Sequence, residues 1–237
     1  MWQKNREVLP SLVDSYVMMT CMNKQILFYG DSNTYGYDPR GFFGGRYAPE
    51  NRWTDILAKE LRNMWDVYAE GRNGRMIPTA PEYPDVGRMI RAHRPLDIFA
   101  CMLGTNDILF GDQSSIDAPV RNMRDFLRFL FSIQSIADQK TKVLLIAPVS
   151  IQSGADPVYQ RFSALSENLV TAYQGLSKEF GTLFLDTSGW GIELAYDHVH
   201  FTEAGSRLFA EKAGAFILSH KSSAPLHQPA DPSSSIP

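Results

Sequence analysis

Residues 24–34 read Lys24-Gln25-Ile26-Leu27-Phe28-Tyr29-Gly30-Asp31-Ser32-Asn33-Thr34. In the run 25–29 the apolar side chains of 26–29 follow one another without alternation. That pattern suits a strand buried on both faces, as parallel strands are when helices cover each side of the sheet. The run stops at Gly30, and the polar residues after it form a turn that leaves the strand. Four further runs share this character, at 67–70, 97–103, 142–147 and 182–185.

Longer amphipathic segments separate these runs and predict helices over 52–64, 85–93, 118–137, 158–179 and 203–218. In the third, Val120, Met123, Phe126, Leu127, Leu130 and Ile133 recur at helical spacing. Five βα alternations predict an α/β fold, a three-layer α/β/α sandwich in one domain. Right-handed crossovers leave few strand orders, and a flavodoxin-like five-stranded parallel sheet of order 2-1-3-4-5 is expected. No internal repeat is present. The folded domain is expected over 23–220. Residues 1–22 read as an N-terminal extension, with Met22 a candidate translation start, and the Ser- and Pro-rich 221–237 reads as a flexible tail.

Composition narrows the function classes. The 237 residues carry a formal net charge of −3, with no basic excess to draw phosphate backbones, so nucleic acid is not an expected partner. No apolar run is long enough to span a bilayer, and no membrane association is expected. Glu7 and Asp14 interrupt what would be a signal peptide, so a cytoplasmic location is expected. Cys21 and Cys101 make no disulfide framework, and Cys101 lies in an apolar run as a buried small hydrophobe.

Ligands of open parallel sheets bind beyond the carboxyl ends of the strands. Four motifs fall there. Gly30-Asp31-Ser32-Asn33-Thr34 offers a serine hydroxyl beside backbone N–H groups, although a helix-capping serine reads the same way. Gly71-Arg72-Asn73-Gly74 follows the second run and by itself reads as a βα turn. Gly104-Thr105-Asn106-Asp107 follows the third and supplies either an amide donor or a turn. Asp197-His198-Val199-His200 follows the fifth. There His200 is the natural base for a serine, and Asp197, three residues away, can fix its tautomer. A metal site on His198 and His200 is the competing reading, but no further His or Cys cluster accompanies them.

Taken together, these motifs resemble the four blocks, led by Ser, Gly, Asn and His, of the SGNH (GDSL) hydrolase superfamily. The resemblance spans roughly 24–219. The Gly-Asp-Ser-x-Thr-aromatic-Gly-aromatic pattern, Arg52-Trp53-Thr54 and His200-Phe201-Thr202-Glu203-Ala204 resemble the arylesterase and acyltransferase branch in particular. The resemblance implies a serine esterase acting on short-chain or aryl esters, with Ser32, Asp197 and His200 as its triad. Its oxyanion hole would be the N–H groups of Ser32 and Gly74 and the amide of Asn106. It implies no metal and no organic cofactor, and a small-molecule ester as the partner; self-association into a homo-oligomer stays open. Asn33, where many members carry Leu, and Tyr35 and Tyr37, where the acyltransferase has Trp, adjoin the nucleophile and are expected to contact substrate. Tyr37, Phe42, Phe43, Tyr47 and Phe110 are aromatic candidates for the pocket walls. A carbohydrate O-deacetylase and an acyltransferase would use the same triad, and a binding module without catalysis is the reading from another class.

Overall fold

The protein is described here by a computed structural model covering residues 23–41 and 45–220. The expectations for 1–22, 221–237, Cys21, Phe42 and Phe43 lie outside the described residues. The chain forms β1 (Lys24–Gly30), α1 (Ser32–Tyr35), β2 (Tyr37–Asp38), β3 (Gly45–Arg46), α2 (Trp53–Leu61) and β4 (Trp65–Gly71). It continues with α3 (Tyr83–Ala92), β5 (Ile98–Met102), α4 (Thr105–Phe110), α5 (Asp117–Ser132) and α6 (Gln134–Ala137). Last come β6 (Lys142–Ile146), α7 (Pro157–Phe180), β7 (Leu183–Leu185) and α8 (Glu203–Ser219).

The main sheet is parallel and runs β4-β1-β5-β6-β7. Counting only its own strands in chain order, that is the expected 2-1-3-4-5; the small antiparallel ribbon β2–β3 shifts the labels. Side chains alternate between two cores. Leu27, Phe99, Cys101, Val143 and Leu145 face one side, and α3, α5 and α7 cover them with Ile90, Phe126, Leu130, Leu169 and Tyr173. Ile26, Phe28, Ala100, Leu144 and Ile146 face the other, under Trp53 and Leu57 of α2 and Phe209 and Ala213 of α8. This is the three-layer α/β/α sandwich, and its central strands are apolar in succession because both faces are covered.

Three local expectations differ. Strand β4 is not apolar on both faces: as an edge strand it leaves Asp66 and Ala69 exposed. The helix expected over 118–137 breaks at Ile133, which turns to extended backbone (φ −77°, ψ 125°) and buries its side chain in the first core. Two short helices, α1 and α4, begin within segments that read as turns.

The placement of α1 depends on two glycines that close the ends of neighbouring strands. Gly30 and Gly71 are paired in the sheet, and α1 lies directly on them. A Cβ on Gly71 would stand 2.2 Å from Tyr35 N and 2.5 Å from the Thr34 carbonyl carbon. Those are backbone atoms of the turn that presents Ser32, so they cannot yield by a side-chain rotation. Gly71→Ala is therefore expected to cost about 1–3 kcal/mol or more of stability, the usual penalty of overpacking. Gly175, exposed within α7 and with no atom of the described residues beyond its own helical turn within 4 Å of an added Cβ, is the control: Gly175→Ala should stabilise by about 0.5–1 kcal/mol. Urea denaturation of both variants checks the contrast, and a neutral Gly71→Ala would contradict this account of α1.

Candidate active site

Each motif read from the sequence sits beyond the carboxyl end of a sheet strand. Ser32 opens α1 directly after β1, and its turn is fixed by Asp31, whose side chain accepts from the Asn33 N–H at 2.9 Å. Gly74 lies in the turn after β4, in the left-handed region at φ +69° that glycine adopts without strain. Asn106 lies in the first turn of α4, after β5. Asp197 and His200 lie in the long connection from β7 to α8, where Leu194 and Phe201 form an isolated antiparallel bridge.

These elements bring Ser32, Asp197 and His200 into one line. His200 Nδ1 is 2.6 Å from Asp197 Oδ2, and His200 Nε2 is 2.8 Å from Ser32 Oγ. With a carboxylate at one nitrogen, the proton belongs on Nδ1, and the Ser32 hydroxyl donates to Nε2. Asp197 Oδ1 also accepts from the N–H groups of Val199 and His200 at 3.1 and 3.0 Å. Burial alone would raise the Asp197 pKa, but these hydrogen bonds and the His200 ring outweigh it and hold the carboxyl below its ordinary range. The turn bends at His198, which adopts φ +60°. Its ring packs on Tyr159 at 5.1 Å, and it does not line the cavity described below. Among the described residues, no three His, Cys, Asp or Glu side chains are grouped to hold a metal.

A cavity of about 600 Å³ opens over Ser32 and His200, and Gly74 and Asn106 line it with them. Gly71 takes no part, being held in the sheet beneath α1. The Asn106 amide spends one N–H on the Arg75 carbonyl at 3.0 Å, leaving a second donor. Among the described residues, no backbone acceptor takes the N–H of Ser32 or Gly74. The rest of the wall is mostly apolar: Leu109 and Phe110 from α4, Val158, Tyr159 and Phe162 from α7, and Val199. Phe110 is 72% exposed and Val158 39%, unusual for large apolar side chains and located at the cavity rim.

Of the residues expected to contact substrate, Tyr37 lines the cavity, with its ring 4.5 Å from that of His200. Asn33 and Tyr35 do not line it. The Asn33 side chain is buried and spans to the His200 loop, donating to Val199 O at 3.1 Å and accepting from Phe201 N–H at 3.0 Å. Tyr35 faces away under the Arg46 guanidinium, 4.4 Å from its ring. Tyr47 is buried and donates to Phe201 O at 3.2 Å, which makes it a support of the same loop. The contribution of α7 to the wall was not read from the sequence. Its signal is Asp156-Pro157, a capped helix start that ends the connection following β6.

The profile of the GDSL-like lipase/acylhydrolase family matches residues 28–208. The chain belongs to that family. It is a carboxylic ester hydrolase of the SGNH type and resembles arylesterases. An aryl esterase of M. smegmatis is 26% identical, with a TM-score of 0.70 over 83% of this chain and 99% of that one. A carbohydrate acetylesterase family member of Sinorhizobium meliloti is 25% identical, with a TM-score of 0.68 over 83% and 98%. An acetylxylan esterase of Geobacillus stearothermophilus, solved as a catalytic mutant, shares the fold at 18% identity and a TM-score of 0.59 over 81% and 94%. No curated protein matches the chain. No helix of the described residues is long and apolar enough to cross a membrane.

Two buried carboxyls beside the site make its stability depend on pH. Burial pushes both Asp31 and Asp107 up to about 6, against the backbone hydrogen bonds that each accepts. A carboxyl whose folded pKa exceeds its ordinary 3.8 binds more protons when folded. Stability therefore falls as pH rises from about 4 to about 6, and the full cost persists above that window. Asp31→Asn keeps an acceptor for the Asn33 N–H and removes the charge. Relative to the parent it is expected to gain about 1–3 kcal/mol near pH 7.5 and little near pH 4, read by urea denaturation at both. An equal shift at both pH values would assign the effect to something other than ionisation.

Proposed function

We propose that the enzyme hydrolyses neutral aryl and short-chain carboxylic esters through an acyl-enzyme formed on Ser32. The reading rests on one observation, the unbroken hydrogen-bonded line from Ser32 Oγ through the His200 ring to Asp197. Ser32 Oγ attacks the ester carbonyl carbon while its proton passes to His200 Nε2. Asp197 stabilises the resulting imidazolium. The carbonyl oxygen becomes an anion held by the N–H groups of Ser32 and Gly74 and the free donor of Asn106. His200 then protonates the leaving alcohol as the C–O bond breaks. Water, deprotonated by His200, attacks the acyl-enzyme and returns Ser32 and the acid.

The apolar wall of α4 and α7 supports the substrate class. Among the described residues, the cavity lining contains no Lys or Arg and one carboxylate, that of Asp197. Phe110, Val158 and Tyr159 offer surface to an aryl or alkyl group. A carbohydrate ester would be served by more polar groups than Asn73 and Gln113 at this mouth. That favours the aryl reading over sugar deacetylation, although a carbohydrate acetylesterase is among the structural neighbours.

Ser32→Ala should fold normally and lower kcat on p-nitrophenyl acetate by about 10³-fold or more. In the parent, kcat/KM for p-nitrophenyl and phenyl esters should exceed that for acetylated xylosides by about tenfold or more, the scale on which apolar pockets discriminate. Near-parental turnover by Ser32→Ala would remove the nucleophile. A preference for the acetylated sugars would instead leave the triad intact and assign the protein to carbohydrate deacetylation.

A further inference from the structure

Arg75 is a buried cation immediately behind the cavity. Its side chain is almost wholly enclosed, with the residue 8% exposed. Nη1 donates to Gly30 O at 2.7 Å and also to Glu70 O. The guanidinium lies over the Tyr29 ring, 4.1 Å from its centroid. Nε is buried with no hydrogen-bond partner among the described residues. A fold seeking only stability would not place a guanidinium here, because a well-packed apolar residue usually does as well without the desolvation cost. Burial correspondingly pushes the Arg75 pKa down.

What Arg75 touches gives the cation a use. Gly30 O is the last carbonyl of β1, two residues before Ser32. Glu70 O lies near the end of β4, four residues before Gly74. The Arg75 carbonyl itself accepts from Asn106 Nδ2 at 3.0 Å, and its N–H donates to Arg72 O at 3.2 Å, closing the turn that carries Gly74. Two residues on, Ile77 N–H is held by the Asp107 carboxylate at 3.1 Å. One residue therefore ties together the three chain segments that bear the Ser32, Gly74 and Asn106 donors. The side chain makes two of these ties, both through Nη1, with the planar guanidinium held over the Tyr29 ring, and the backbone of the same residue makes the ties to Asn106 and Arg72.

We infer that Arg75 is a positioning residue for the oxyanion hole, holding the Gly74 turn and the Asn106 amide in register with Ser32. The inference rests on the proposed roles of Ser32, Gly74 and Asn106. Arg75 touches no reacting atom and acts through the donors it aligns. Misplacing such donors by a fraction of their hydrogen-bond length affects the anionic transition state more than the bound ester.

The test compares Arg75→Lys, Arg75→Met and Asn106→Ala with the parent. For each, kcat and KM on p-nitrophenyl acetate, inhibition by phenylboronic acid and thermal unfolding are measured. The boronate adduct of a serine places an oxygen where the oxyanion forms, so its affinity reports the hole without turnover. Arg75→Lys should lower kcat by about 10- to 100-fold with KM within about twofold, and weaken boronate inhibition by a similar factor. Arg75→Met should do the same or more. Parental kcat in a folded Arg75→Lys overturns the inference. So does a loss confined to KM, and so does failure of both variants to fold, which would make Arg75 a support of the fold alone. Parental kcat and boronate affinity in Asn106→Ala would instead overturn the underlying assignment of the hole.

Discussion

The side-chain amide of Asn33 carries hydrogen bonds to both neighbours of His200, donating to Val199 O and accepting from Phe201 N–H. The Asn33 backbone carbonyl accepts from Trp53 Nε1 at 2.9 Å, which anchors α1 to α2. Ser32 and His200 are 168 positions apart in the chain, on opposite sides of a strand-to-helix turn and a long loop. Loops of that length tolerate many conformations. The Asn33 amide removes that freedom at one place, because it grips the backbone on each side of His200. The Ser32–His200 distance follows from this clamp and from the bed of Gly30 and Gly71 on which α1 rests.

Around the clamp, the molecule accumulates polar groups in an apolar setting. Asp31, Asp107 and Arg75 are all buried within a few residues of the cavity. Each is partly compensated: Asp31 by the Asn33 N–H, Asp107 by the Ile77 N–H, and Arg75 by two carbonyls and the Tyr29 ring. The compensation is incomplete, as the raised carboxyl pKa values record. Functional sites commonly depart from what stability alone would select, because groups must be held where chemistry needs them. The same principle fits the Phe110 and Val158 rim, where apolar surface is left uncovered at the cavity that Ser32 also lines.

Much of this was legible in the chain itself. Within the runs at 25–29, 97–103 and 142–147, residues 26–29, 98–103 and 143–147 are apolar in succession because helices bury both faces of the central strands, and that pattern identifies the sheet. The motifs at Ser32, Asn106 and His200 stand out because they fall at strand ends. Other features leave no such trace. Asn33 was expected at the substrate because it adjoins Ser32, yet its partners are backbone groups more than 160 residues away, which no local pattern announces. Tyr37 and Tyr47 are alike in sequence, but one lines the cavity and the other supports the His200 loop. Phe162 belongs at once to the first core and to the cavity wall, so helical periodicity could not separate its two roles. The helices α1 and α4 were hidden because their capping residues are also turn formers.

The central claim is that Ser32 becomes acylated while the carbonyl oxygen sits between the donors of Ser32, Gly74 and Asn106. A crystal structure of the enzyme inactivated by a p-nitrophenyl alkylphosphonate tests it most directly. The account predicts phosphorus bonded to Ser32 Oγ and one phosphoryl oxygen about 3 Å from Ser32 N, Gly74 N and Asn106 Nδ2. An adduct on another residue, or a phosphoryl oxygen directed to solvent with Gly74 turned away, would contradict it.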